Sequence, residues 1–216
     1  MKKIIATIIA MSTTAVFAGV DYASSYIFRG ATVHSDAAIQ PSMDTEILGL
    51  EVGAWASYNT GTDAFEEVDF AIGMPLTSVA GVDLSVGLCE YVYTSGEADT
   101  EASLYADTSY AGVDISVALN KTMDGAMGDY TIIGASYGFD LTDTIAGAVS
   151  YEIADLDDGT NDGEAYSAVS VSAETSLTDA LDLGLAYTSL NEGDADMNQV
   201  GAEDSVFVVS ISGDLF

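Results

Sequence analysis

The stretch SVFVVSISGDLF, residues 205–216, ends the chain and indicates its fold. Phe207, Val209 and Ile211 alternate with smaller or polar residues, and the chain then ends on Phe216. Successive side chains of a β-strand point to opposite faces, so the stretch predicts a strand with one apolar side. An aromatic last residue is typical of a signal for barrel assembly, and we assign that role to Phe216 as a prediction.

The first 18 residues, MKKIIATIIAMSTTAVFA, have the features of an export signal. Lys2 and Lys3 precede an apolar run over residues 4–11, and small residues follow up to Ala18. The apolar run is about half of the roughly 20 residues that a membrane-spanning helix needs. The sequence therefore predicts a cleaved secretory signal peptide over residues 1–18 and a single folded domain over residues 19–216.

Composition restricts the class of protein. Hydrophobic residues make up 49% of the chain and mean hydropathy is +0.28, yet the formal net charge is −31. Beyond the predicted signal, only Arg29 and Lys121 oppose the acidic residues, so nucleic acid is excluded as a partner. The acidity fits either cation selectivity or a saline habitat. Cys89 is the single cysteine, which excludes an intramolecular disulfide and a cysteine metal cluster.

Twelve segments alternate with a period of two, and short and long connections alternate between them. Short turns on one rim and long loops on the other are typical of outer-membrane barrels, with both termini on the periplasmic side. We therefore predict an all-β fold, a transmembrane antiparallel up-and-down barrel of about twelve strands. The predicted strands are 20–29, 38–47, 50–58, 65–74, 82–92, 101–110, 113–121, 130–139, 145–154, 165–175, 181–190 and 205–216.

The two faces of these strands differ in charge. One face is apolar in nearly every segment and includes Val20, Tyr22, Tyr26 and Phe28 in the first strand. A soluble sandwich would bury this face, whereas a barrel would turn it to lipid. The strand lengths, the export signal and tyrosines near strand ends favour the barrel. The opposite face carries Asp21, Arg29, Asp44, Glu46, Glu51, Glu67, Asp69, Asp83, Asp107, Asp114, Glu152, Glu174 and Asp182.

Four segments in the first third of the chain resemble a known family. They are SSYIFRG (24–30), AAIQPSMD (37–44), GLEVGAWASYN (49–59) and FEEVDFAIGM (65–74). They are similar to the conserved segments of the TorF-family porins, Gcw_chp-type bacterial outer-membrane proteins. The resemblance implies a β-barrel with channel function. Arg29, Gly30, Gln40, Trp55, Glu67 and Asp69 match the family pattern, and Ser25 replaces its usual aspartate.

Six charged residues are the candidates for the pore lining. Arg29 has two interpretations: a constriction residue that pairs with Glu67 or Asp69 and orients an anionic group, or a structural ion pair. The acidic candidates predict a preference for cations, and plain solvation of an acidic interior is the alternative. The set comprises Arg29, Asp44, Glu46, Glu51, Glu67 and Asp69.

No pattern in the sequence indicates catalysis, a cofactor or a dedicated metal site. His34 has no histidine or cysteine near it, and no carboxylate spacing singles out an acid and a base. The acidic loops 155–164 and 191–204 are either simply solvated or bind divalent cations weakly. The expected function is passive diffusion of small hydrophilic solutes through a channel in the outer membrane of a Gram-negative bacterium. The alternative is a structural or adhesive surface barrel with acidic loops.

Overall fold

Twelve strands close into an antiparallel barrel. The structure, a computed structural model, describes residues 17–29, 31–125, 127–159, 162–178, 180–193 and 205–214. Each barrel strand pairs with its neighbours along the chain, and the first barrel strand pairs with both the second and the last. The strands are β1 (Phe17–Ala23), β4 (Ala38–Ile47), β5 (Leu50–Asn59), β6 (Ala64–Val79), β7 (Val82–Tyr93), β8 (Ala98–Tyr110), β9 (Val113–Asp124), β10 (Asp129–Asp140), β11 (Ile145–Asp157), β12 (Asp162–Thr178), β13 (Leu181–Glu192) and β14 (Ser205–Asp214).

This architecture confirms the predicted fold class. The alternating pattern produces it because inward positions hold small, polar or acidic side chains and outward positions hold large apolar ones. Along β8, for example, Glu101 and Ser103 are buried while Leu104, on the opposite face, is exposed. None of the described residues forms a helix long and apolar enough to cross a membrane.

Three of the short turns at one rim contain only two residues each. Two-residue turns with positive φ at both positions join three strand pairs, at Leu48–Gly49, Ala80–Gly81 and Ala111–Gly112. This conformation matches the right-handed twist of paired strands. The predicted strand 65–74 is too short at this rim, because β6 continues to Val79. A bulge after Pro75 accommodates the residue that lacks a backbone N–H.

The first strand differs most from its prediction. β1 covers Phe17–Ala23 rather than 20–29, and the chain then leaves the wall. It forms a small antiparallel sheet of two strands, β2 (Tyr26–Phe28) and β3 (Ala31–His34), before it rejoins the barrel at Ala38. We refer to the described residues 24–29 and 31–37 as the hairpin. Tyr26 and Phe28, predicted on the lipid-facing side, belong to this hairpin instead.

Several predictions lie outside the described residues. Residues 1–16, which hold most of the predicted signal peptide, are among them, and so is Phe216. β1 also includes Phe17 and Ala18, the last two residues of the predicted signal peptide.

Candidate functional site: the hairpin in the barrel lumen

The hairpin crosses the barrel lumen from one wall to the other. It starts and ends beside β1 and β4, which are neighbours in the barrel. Its tip residue Arg29 contacts Glu101 of β8 and Tyr130 of β10, on the far side of the ring of twelve strands. The half of the lumen at the rim with the long connections is therefore narrowed by this segment.

Arg29 is held by a bidentate ion pair. Its Nη1 and Nη2 atoms donate to Glu101 Oε2 and Oε1 at 2.6 and 2.7 Å. The side chains are only 10% and 2% exposed. The guanidinium also lies over the rings of Phe28 and Tyr130, with 4.9 and 4.6 Å between its Cζ and the ring centroids. A planar guanidinium suits both contacts, because it can bind a carboxylate with two parallel bonds and stack on aromatic faces.

The electrostatics of Arg29 favour a permanent positive charge. Burial alone would lower its pKa, but the hydrogen bonds to Glu101 and the charge of that carboxylate outweigh burial. The net effect raises the pKa of Arg29 above its ordinary value. Arg29 therefore keeps its positive charge over the whole physiological pH range.

Tyr26 fixes the other side of the hairpin. Its hydroxyl donates to Glu67 Oε2 at 2.6 Å, and Glu67 is 4% exposed. Its ring packs on Trp55 and His34, with centroids 5.4 and 5.7 Å apart. Burial, followed by the nearby Glu67 carboxylate, raises the pKa of Tyr26, so the phenol stays protonated and remains a donor.

Aromatic side chains fill the space around the hairpin. Phe28 contacts Tyr91 edge to face with centroids 5.6 Å apart. Further along the wall, the side chains of Tyr130 and Tyr166 are buried with Leu156 in a small apolar cluster. Within the described residues, this cluster and a second one of Ala23, Tyr26 and Ala38 form the apolar core. The core lies inside the barrel rather than between two sheets.

The structure divides the six predicted pore-lining residues into three groups. One interpretation of the sequence expected Arg29 to pair with Glu67 or Asp69. In the structure Arg29 pairs with Glu101 instead. Glu67 and Asp69 share one face of β6 beneath Tyr26. Asp44, Glu46 and Glu51 lie towards the short-turn rim, and Glu46 pairs directly with Glu51 in the β4–β5 register.

Glu101 is the functional candidate that the sequence analysis missed. It lies at an even spacing from Asp107, which had been placed on the charged face, so the period-two pattern contains the signal that it faces the lumen. Glu101 and Arg29 are 72 residues apart in the sequence, so no local pattern indicates that they pair.

The acidic loops and His34 offer little for a metal ion. Among the residues that the structure describes, no group of three or more His, Cys, Asp or Glu side chains is arranged to hold one. Asp157 Oδ1 accepts a hydrogen bond from the Gly159 amide, an ordinary turn contact. His34 Nδ1 lies 2.8 Å from the Asp36 carbonyl oxygen. Residues 160, 161 and 194–204 of the two loops fall outside the described ranges.

A family model matches residues 8–212, nearly the whole chain. Its description is "Bacterial protein of unknown function (Gcw_chp)". The chain belongs to the Gcw_chp family. This match confirms the resemblance that the N-terminal segments indicated. A comparison with curated proteins finds no match for the sequence.

Solved structures similar to this Gcw_chp chain are outer-membrane porins and channels. The KdgM porin has a TM-score of 0.63 at 5% identity, over 94% of this chain and 100% of that one. The NanC porin has a TM-score of 0.61 at 9% identity, over 93% of this chain and 100% of that one. The COG4313 outer membrane channel from Pseudomonas putida F1 has a TM-score of 0.58 at 13% identity, over 98% of this chain and 99% of that one. At these identities the similarity establishes the barrel fold.

Proposed function

We propose that this protein is an outer-membrane channel for passive diffusion of small hydrophilic solutes, with a preference for cations. In this proposal residues 1–18 are a cleaved signal peptide, and lipid surrounds the apolar outer face. No chemical step is involved, so the protein is not an enzyme. The proposal is supported by the closed barrel and by the fold shared with the KdgM and NanC porins.

The observation that carries the cation preference is the imbalance of charge in the lumen. The described residues include two Lys or Arg side chains, Arg29 and Lys121. Glu101 neutralises Arg29, and Lys121 is exposed at the rim, where it pairs with Asp129. Neither cation therefore pairs with Glu67 or Asp69, and an acidic lining attracts cations into a low-dielectric passage. Neither cation pairs with Asp44, Glu46 or Glu51 either.

A salt gradient across a planar bilayer tests this proposal. We expect the refolded protein to conduct and to give a reversal potential of the sign for cation selectivity. The double variant Glu67→Gln/Asp69→Asn should move that potential towards zero, and the shift should shrink near 1 M salt, where the Debye length falls to about 3 Å. An unchanged potential would contradict the role of these two carboxylates.

The matched control removes two charges from the outside of the barrel. Asp155 and Asp157 are exposed on β11, on the face opposite the buried Ala154 and Leu156. Asp155→Asn/Asp157→Asn should leave the reversal potential within experimental error of the parent.

The hairpin favours one second candidate, a structural or adhesive barrel that does not transport. Arg29 and Tyr26 hold the hairpin inside the lumen, and a segment in that position obstructs diffusion. Correctly inserted protein with no conductance, both as the parent chain and without the hairpin, would favour this second function over the channel.

A further inference from the structure

The hairpin has little stability of its own. Its two strands contain three and four residues, and an isolated two-stranded sheet is marginal in water even when it is longer. Backbone hydrogen bonds to the wall occur at its ends, where the Ser24 amide donates to Phe207 and the Thr60 amide donates to Ala37. Its position in the lumen therefore depends on side-chain contacts.

The barrel wall does not need the hairpin to close. β1 pairs along its whole length with both β4 and β14, so the ring is complete through Ala23 and Ala38. The hairpin is thus a separate unit attached to an independent wall. A change in its position would leave the ring of strands intact.

Arg29 makes the contact that reaches furthest across the lumen. The tip residue adopts a φ of 48°, a left-handed conformation that is unfavourable for a residue with a side chain. Its contacts offset that cost: the two bonds to Glu101 and the stacking on Tyr130. If the pair separates, water in the lumen can solvate both charges, which is not possible in a dry protein core.

We propose that the Arg29–Glu101 ion pair is a latch that holds the hairpin closed across the lumen, and that its release opens the extracellular half of the passage. The effect on conductance rests on the proposed channel function. The docking of the hairpin itself does not rest on it, and the experiment below measures docking directly.

Cys89 provides a native probe beside the latch. It is the only cysteine of the chain, it is free, and it is partly buried. In the β7–β8 register it lies directly opposite Glu101, on the same inward face. A thiol reagent that enters through the lumen must therefore pass the hairpin to reach it from the extracellular side.

The test is the rate of Cys89 modification in the refolded full-length protein. The protein is inserted into sealed vesicles with its long-loop rim outward, an uncharged maleimide with a short polyethylene glycol chain is added outside, and Cys89→Ser gives the background. We expect slow labelling of the parent and at least tenfold faster labelling of both Arg29→Ala and Glu101→Gln. Arg29→Ala removes a positive charge, which does not favour the thiolate, so its faster labelling would report access. Glu101→Gln removes a negative charge and favours the thiolate, so its rate is compared with that of Arg29→Ala at several pH values.

Two further variants make the test specific. Lys121→Ala removes one positive charge from the exposed Lys121–Asp129 pair and should label at the parent rate. The exchanged pair Arg29→Glu/Glu101→Arg should restore protection at least in part. A heat-modifiable gel shift verifies that each variant is folded before labelling.

Three results would overturn the latch: rapid labelling of the parent, parent-like rates in both Arg29→Ala and Glu101→Gln, or equal acceleration by Lys121→Ala. Labelling requires no ion flow, so it tests the latch even if the protein does not conduct. Failure of the channel proposal would instead be seen as missing conductance in every variant, including those that label rapidly.

Discussion

β1 and the hairpin that follows it have the same alternating pattern but opposite surroundings. In β1, Val20 and Tyr22 are each 48% exposed on the outer surface. In the hairpin, Tyr26 continues the same alternation yet lies buried in the lumen against Glu67. Alternation determines which side chains share a face, whereas polar partners determine what that face contacts. On the outer surface the residues paired with Tyr22 are apolar, Ile39 and Val209, whereas the lumen offers Tyr26 the carboxylate of Glu67.

The largest expected difference between the two regions comes from adding a charge. Val20 on the wall and Val33 in the hairpin have nearly equal exposure, 48% and 49%. Val20→Lys places an ammonium group on the outer face, which we assign to lipid, near the middle of β1 and should destabilise the barrel by about 2–4 kcal/mol. Urea unfolding in phosphocholine vesicles measures this change.

Val33→Lys is the matched substitution in the hairpin. Its ammonium group would lie in water, so the free energy of unfolding should change by no more than about 0.5 kcal/mol. Equal costs at the two positions would contradict the assignment of the outer face to lipid.

A smaller difference is expected when a hydroxyl is removed. Tyr26→Phe deletes the donor to the buried Glu67 carboxylate and should weaken hairpin docking by about 1.5–3 kcal/mol. Trp55 is the only tryptophan and packs on Tyr26, so its fluorescence in low urea follows the docked fraction. Tyr22→Phe, on the outer wall, should leave docking unchanged.

The same contact predicts a response to alkaline pH. The raised pKa of Tyr26 means that its contribution to docking is complete below the ordinary tyrosine value of about 10 and is lost as pH rises above it. The Tyr26→Phe variant should lack this loss. Identical pH profiles of Trp55 emission in parent and variant would contradict the docking role of the phenol.

The smallest effect is expected at Ser24, where the chain leaves the wall. Its amide donates to the Phe207 carbonyl, and its Oγ accepts from the Phe207 amide at 3.0 Å. Ser24→Ala removes the second of these bonds in an exposed position and should cost about 0.5–1 kcal/mol. Amide hydrogen exchange at Phe207 should accelerate while exchange in the middle of β14 does not.

The strands of the barrel wall were predictable from the sequence because the alternating pattern is visible within each strand. β9 shows this: Ile115 and Leu119 alternate with Ser116 and Asn120, and the structure exposes the first pair and turns the second inward. Each strand repeats this pattern, so the number of strands and their faces follow without knowledge of distant contacts.

The hairpin was not predictable in the same way. Nothing in SSYIFRG distinguishes a strand that stays in the wall from one that turns into the lumen, because Tyr26 and Phe28 keep the period of Val20 and Tyr22. The deciding contact joins Arg29 to Glu101 across 72 residues. Such a pairing depends on barrel closure, which places β8 opposite β1 and has no local signal.

The most direct measurement is single-channel conductance with and without the hairpin. Ala23 and Ala38 are paired across β1 and β4, so a two-residue Asn-Gly turn can replace residues 24–37 and preserve the register. We predict that the parent conducts weakly and that the shortened protein conducts more strongly with the same preference for cations. Equal conductance of the two proteins would contradict the obstruction of the lumen by the hairpin, and no conductance from either would contradict a channel.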